Sequence, residues 1–152
     1  YKFYNWDFDL KSFPDCRLYC KDETDPITFT GKKTAEDLID FINDYCGTQR
    51  GLNGRLNSEA GVIDEVSQIV EDYLTKGKKP HYISDMEQVE GTSYYIWVMK
   101  AIAEKGNDFI FTERKRLSDM LNSDTLSPDK IDEFQVRLNI LGVFASYIDE
   151  ND

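Results

Sequence analysis

Histidine is almost missing from this chain: His81 is the single one in 152 residues. That leaves little room for imidazole acid–base catalysis or for a histidine-based zinc site. Cysteine is scarce as well, with Cys16, Cys20 and Cys46 only, and no two of them form a C-x-x-C. Cys16 and Cys20 fall in a segment that reads as a strand, where a spacing of four residues puts them roughly 13 Å apart on one face. Disulfide-bonded cysteines have Cα atoms within about 7 Å, so these two cannot pair while that strand is extended. All three are expected as buried or half-buried thiols. No apolar run approaches the roughly 20 residues of a membrane-spanning helix, so membrane insertion is not expected. Neither a signal peptide nor a retention tetrapeptide is visible. Positive charge is the minority sign, 18 Lys and Arg against 29 Asp and Glu, for a net charge of -11. Binding a phosphate backbone calls for a basic face, so nucleic acid is not an expected partner. The acidic balance suits solubility, and it favours basic or unfolded protein partners.

What the chain does have is apolar mass, 40% hydrophobic and 13% aromatic residues beside 31% charged. That composition points to a globular fold. The length suits one ordinary domain, or one domain plus a piece of another. The longest apolar stretch runs from Tyr94 to Ala103, with Lys100 its only formal charge. A helix apolar nearly all round has to be wrapped by other elements. Trp97, Tyr94 and Tyr95 are therefore expected in the core, with the later segments closing around Trp97.

The first dozen residues are aromatic and acidic without a clean period. Asp7 and Asp9 fall far short of the six to eight oxygens that calcium takes. Phe13-Pro14 precedes a short strand candidate over 15–20. A polar turn over 21–26 leads to a second strand, Ile27 to Thr30, closed by Gly31, and together they read as a hairpin. Thr34 is a helix cap, with Glu36 and Asp37 favoured at the positive end of the dipole. Leu38, Ile39, Phe41, Ile42 and Tyr45 form an apolar face, and Gly47 stops the helix. This much is too little to close a core alone.

After a Gly/Asn-rich stretch over 51–57, Ser58 reads as the cap of a helix carrying Val62, Ile63, Val66, Ile69, Val70, Tyr73 and Leu74. Gly77 to Pro80 ends it. Ser84 or Thr92 opens the next helix and Gly106 ends it. Asn107-Asp108 caps a helix with Phe109, Ile110, Leu117, Met120 and Leu121 inward. Ser127-Pro128-Asp129 starts the last, striped by Ile131, Phe134, Leu138, Leu141 and Ile148. The expected fold class is mostly α: a partial thioredoxin-like α/β segment, a β-hairpin plus a C-terminal helix, followed by an all-α helical bundle.

The thioredoxin part of that expectation comes from a resemblance. Phe13-Pro14, the two strands, the run Thr30-Gly31-x-x-Thr34-Ala35-Glu36-Asp37-Leu38-Ile39-x-Phe41-Ile42-Asn43 and then Cys46-Gly47-Thr48-x-Arg50 resemble the last third of a thioredoxin-fold domain of the protein disulfide isomerase family. The block from Lys100 to Phe109 and the block from Arg137 to Phe144 resemble the all-helical C-terminal domain of the Windbeutel-type escort proteins of the endoplasmic reticulum. D-type disulfide isomerases end in the same module. The resemblance implies residues 1–47 as the end of a thioredoxin-like domain, 48–57 as a linker, 58–148 as the helical domain and 149–152 as an acidic tail.

It also implies a role in oxidative folding within the endoplasmic reticulum lumen, with unfolded or disulfide-bonded secretory proteins as clients and a homo-oligomer as a further partner. The family exchanges disulfides through a low-pKa C-x-x-C thiolate. That motif is absent here, so no catalytic residue is carried over. Phe13 and Pro14 match the cis-proline position, which in the family pairs with client peptide, and are the candidate substrate-binding residues. No cofactor and no metal is implied. The chain opens on Tyr1, as expected of a processed or excised fragment of such an isomerase, inactive alone. A redox-inactive escort protein is the alternative. Tyr4, Trp6, Phe8, Tyr82, Phe111 and Tyr147 lie off the clearest stripes and are candidates for exposed aromatics. His81 reads as a solvated loop residue, and the acidic runs at 129–133 and 149–152 read as solvated faces.

Overall fold

Two strands and six α-helices follow one another in a computed structural model that describes residues 13–20, 24–123 and 125–149. They are β1 (Arg17–Leu18), β2 (Ile27–Thr28), α1 (Ala35–Cys46), α2 (Ser67–Thr75), α3 (Pro80–Met86), α4 (Ser93–Lys105), α5 (Asp108–Leu121) and α6 (Pro128–Asp149), with a 3-10 turn at Asp64–Val66 ahead of α2. The fold is mostly α with a short antiparallel hairpin, as the sequence pattern implies. Tyr4, Trp6, Phe8, Asp7, Asp9, residues 21–23 of the polar turn and the acidic end at 150–152 lie outside the described residues. The chain divides into two compact units, Tyr1–Gly54 and Arg55–Asp152.

In the first unit, Arg17 pairs with Thr28 and Leu18 with Ile27. Thr34 caps α1 as expected, its hydroxyl accepting the Asp37 N–H at 3.2 Å and donating to the Asp37 carboxylate at 2.8 Å. Gly47 ends the helix in the left-handed region, φ 61°, its N–H returning to the Asn43 carbonyl. Asn43 then ties down the chain beyond the helix. Its side chain accepts from the Arg50 N–H and the Thr48 hydroxyl and donates to the Arg50 carbonyl, at 2.9–3.0 Å. That gives a local reason for the Gly47-Thr48-x-Arg50 pattern. Phe29 is the one hydrophobic side chain buried among the described residues of this unit, and it packs on Phe41 at 5.1 Å. Phe13, Tyr19, Ile42, Tyr45 and Leu52 are all exposed. Side chains of this size each contribute roughly 1.5–3 kcal/mol when buried, a gain this unit leaves largely unused.

The second unit has a continuous core. Val70 and Tyr73 of α2, Tyr95, Val98, Met99 and Ile102 of α4, Ile110 and Leu117 of α5, and Leu141 and Phe144 of α6 are fully buried. At 22 residues, α6 runs roughly 33 Å and packs chiefly along α5 and α2. The Tyr73 hydroxyl donates to the Met99 carbonyl at 2.7 Å, joining α2 to α4 inside the core. Tyr73→Phe should lower stability by about 1–2 kcal/mol, since the carbonyl loses a buried donor; a urea midpoint shift with unchanged slope is the check.

Several expectations are corrected here. Trp97 is not at the core: it remains 45% exposed, whereas Tyr95 is fully buried. At about 100° per residue Trp97 stands roughly 200° round α4 from Tyr95, on the outward face. The bundle closes instead around Tyr95, Val98, Ile102 and Phe144. Ser58 caps no helix. Residues 58–61 form a turn, Gly61 has φ 77°, and the helical path begins only at Asp64. Asn107 stands at the start of α5 without a capping bond from its side chain. Thr92 precedes α4, but its hydroxyl reaches back to the Met86 and Val89 carbonyls, both at 2.8 Å, fastening the α3–α4 turn. His81 is exposed but sits in the first turn of α3, not in a loop. Tyr82 and Tyr147 are half-buried against the core, while Phe111 is exposed as expected.

Candidate functional site

The outward face of α4 carries the most distinctive surface of the helical unit. Tyr94 and Trp97, one turn apart, stack with ring centroids at 5.2 Å and planes 18° apart. Phe109 meets Trp97 edge-on at 5.5 Å. From α6, the Arg137 guanidinium lies over the Tyr94 ring at 5.2 Å and is paired with Glu133 at 2.5 Å. Glu133 also takes Lys130, and these two cations, Lys130 first, hold its carboxyl below the usual range. The Tyr94 hydroxyl is buried without a hydrogen-bond partner among the described residues. Burial first, and the charge of Glu113 second, push this phenol up to about 12, so it stays neutral with an unspent donor.

Between the stacked rings and the first half of α6 runs an open groove of about 750 Å³, with Val62, Ile63, Val136 and Ile140 supplying apolar wall and Asp129, Asp132 and Glu133 on its lining. Its volume is in the range of sites that hold several ligand groups. The Gly61 turn bears directly on this wall, because a Cβ built there would stand 2.3 Å from Val136 Cγ1. Asn139 holds the same segment to α6, donating to the Asn57 and Ala60 carbonyls at 2.8 and 2.9 Å. Tyr95 accepts the Ile63 N–H at 3.1 Å from the α4 side. The acidic run at 129–133, expected as a solvated face, thus contributes to a groove lining.

In the first unit, Phe13 and Pro14 are both exposed and the peptide between them is cis. Pro14 borders a cavity of about 570 Å³ beside the hairpin, lined also by Asp15, Arg17, Phe29 and Lys33. Arg17 donates to both Asp15 carboxylate oxygens at 3.1 Å, and this bonding is the main reason the Asp15 pKa is lowered. Cys16 and Cys20 are half-buried, as expected; Cys46 is exposed, because it ends a short helix that buries no residue. Among the described residues no group of three His, Cys, Asp or Glu side chains could hold a metal ion, and no helix is long and apolar enough to cross a membrane.

The expectation that Trp97 lies in the core hides the groove, whereas Tyr94 does pack against the core, partly buried. The i, i+3 spacing of the two rings is the one trace of it in the sequence. The other walls come from segments about 30 residues before and 40 after, and no local pattern joins them.

Fold and site together define an all-helical module with an open aromatic groove and no cysteine beyond Cys46. The sequence profile of the family described as Endoplasmic reticulum protein ERp29, C-terminal domain, matches residues 61–144, more than half of the chain, and the chain belongs to that family. It is similar to Protein disulfide isomerase-like 2-1 of Oryza sativa subsp. japonica, 31% identical over an alignment 150 positions long that covers 91% of this chain and 41% of that protein. Probable protein disulfide-isomerase A6 of Medicago sativa is 29% identical over 149 residues, again 91% of this chain and 41% of the relative. Protein disulfide-isomerase 1 of Dictyostelium discoideum is 30% identical over 151 residues, with the same two shares. The chain thus spans about two fifths of the length of these relatives. No solved structure matches it significantly.

Proposed function

We propose that this chain is the client-binding, non-catalytic C-terminal portion of a protein disulfide isomerase of the endoplasmic reticulum lumen, assisting oxidative folding of secretory proteins. Residues 1–47 are the end of a thioredoxin-like domain, 48–57 a linker, 58–148 the helical domain and 149–152 an acidic tail. The exposed Tyr19, Ile42 and Tyr45 are apolar surface that suits contact with a further part of a thioredoxin-like domain. Phe13 and Pro14 receive extended client backbone in the first unit. A redox-inactive escort protein is the other reading of the same residues; the names of the relatives favour the isomerase.

The observation that carries client binding is Trp97, 45% exposed and stacked on the partly buried Tyr94, walling a largely apolar groove in a unit without cysteine. Large aromatics left at the surface of a well-formed core mark interaction sites, and stacked rings offer apolar area at little entropic cost. Titration of a fluorescent secretory protein, reduced and S-carboxymethylated so that it has no free thiol, should show saturable binding to the full chain. No binding would overturn the reading. Insulin reduction by the same chain should not exceed that of ordinary free thiols, because single cysteines lack the vicinal partner that resolves a mixed disulfide. Robust turnover would overturn the non-catalytic assignment.

A further inference from the structure

We propose that the cleft between α5 and α6 docks a short acidic segment of a partner protein, held by Arg114 and Lys115. The cleft measures about 440 Å³ and is lined by Arg114, Lys115 and Ser118 of α5 and by Gln135, Leu138 and Asn139 of α6. Each trio follows the three- and four-residue spacing that places side chains on one helix face. The cleft shares no residue with the Tyr94–Trp97 groove, so the inference does not rest on client binding there.

Charge singles out the occupant. Among the described residues no carboxylate lines this cleft, although the chain carries 29 Asp and Glu against 18 Lys and Arg. The neighbouring arginines are neutralised, Arg116 by Glu113 and Arg137 by Glu133. Arg114 and Lys115 are not: their side chains, and the Ser118 hydroxyl, make no hydrogen bond or ion pair among the described residues. Asp119, four residues beyond Lys115, is not paired with it and is not on the lining. Asn139 is already engaged, its amide donating to the Asn57 and Ala60 carbonyls and its oxygen accepting from the Gln135 amide. Two cations and one hydroxyl are left on the lining with their donors unused.

A carboxylate, which only accepts, matches these donors, and the guanidinium fork of Arg114 takes both of its oxygens. Leu138 and the aliphatic stems of Arg114 and Lys115 supply an apolar strip beside them, which suits a segment rather than a lone ion. The net charge of -11 opposes an anion at long range. Screening at physiological ionic strength acts over about 8 Å, so at contact the sign of the cleft decides. Nucleic acid needs a broad basic face, which two cations do not make.

Two short fluorescent peptides of equal length test this against the full chain, one carrying aspartate and glutamate, the other asparagine and glutamine at the same positions. The acidic peptide should bind about threefold to tenfold more tightly, as two exposed ion pairs allow, with a preference that shrinks at high salt. Arg114→Gln with Lys115→Gln should bring the preference close to one, and an unchanged far-UV circular dichroism spectrum will show that the fold survives. Lys79→Gln with Lys100→Gln is the control. Those side chains also lack a partner among the described residues but lie outside the cleft, and the preference should persist. Arg114→Glu with Lys115→Glu should turn the preference toward a lysine-bearing peptide. Equal binding of the first two peptides would overturn the inference, and so would equal losses in the two glutamine variants. Displacement by inorganic phosphate at matched ionic strength would make the cleft a general anion site. Dimers of the chain that the acidic peptide dissociates would make the occupant a second copy. Either result overturns a partner segment as the occupant, and neither touches client binding.

Discussion

Phe144→Ala is expected to lower the unfolding free energy of the helical unit by about 3–5 kcal/mol. Phe144 is fully buried and stands 6.0 Å, ring to ring, from the equally buried Tyr95. Its loss forfeits the transfer of the ring from water and leaves a cavity that α4 and α6 cannot both close. Since whole domains are stable by only about 5–15 kcal/mol, such a loss is a large share of the total. Urea unfolding of the full chain, followed by far-UV circular dichroism, reads it directly. Trp97→Ala is the contrasting variant: a side chain already 45% in solvent has far less burial to lose. If the two substitutions cost the same, or the Trp97 change costs more, the placement of the core is wrong.

Gly61→Ala should cost about 2–5 kcal/mol, from two sources of known sign. The left-handed backbone at φ 77° penalises a side chain by roughly 1–2 kcal/mol. The new Cβ would also meet Val136 Cγ1 at 2.3 Å, and overpacking of this kind costs roughly 1–3 kcal/mol. Gly47 separates the two sources, because it has φ 61° with nothing within 4 Å of an added Cβ; Gly47→Ala should show the backbone part alone. Pairing Gly61→Ala with Val136→Ala should recover some of the loss, a coupling that a double-mutant cycle measures. Purely additive costs would show that the turn does not bear on Val136 of α6.

The sequence made local events readable because each had a local cause. The Thr34 hydroxyl capping α1, Gly47 ending it in the left-handed region and Pro128 opening α6 all work within a turn of themselves. Phe134, Leu141 and Ile148 of the predicted α6 stripe are buried, and Ile131 and Leu138 are partly so. The α4 face was not readable, because Tyr94 to Ile102 is apolar nearly all round and gives periodicity nothing to choose between. Packing decided it, turning Tyr95, Val98, Met99 and Ile102 inward and Trp97 outward. Val62 and Ile63 do belong with the helices, as their spacing implied. They reach them from a turn, since Gly61 departs from helical φ. The groove was the least readable feature, because its walls meet only after three distant segments have packed.

Separation of client capture from thiol chemistry is tested most directly by one titration. The full chain with Cys16, Cys20 and Cys46 all replaced by serine is mixed with the S-carboxymethylated secretory protein, and its dissociation constant is compared with that of the unsubstituted chain. Agreement within about twofold, a difference under about half a kcal/mol, is the predicted result. Loss of binding on removing the cysteines would place client capture on the thiols and contradict the assignment of that role to the cysteine-free helical unit.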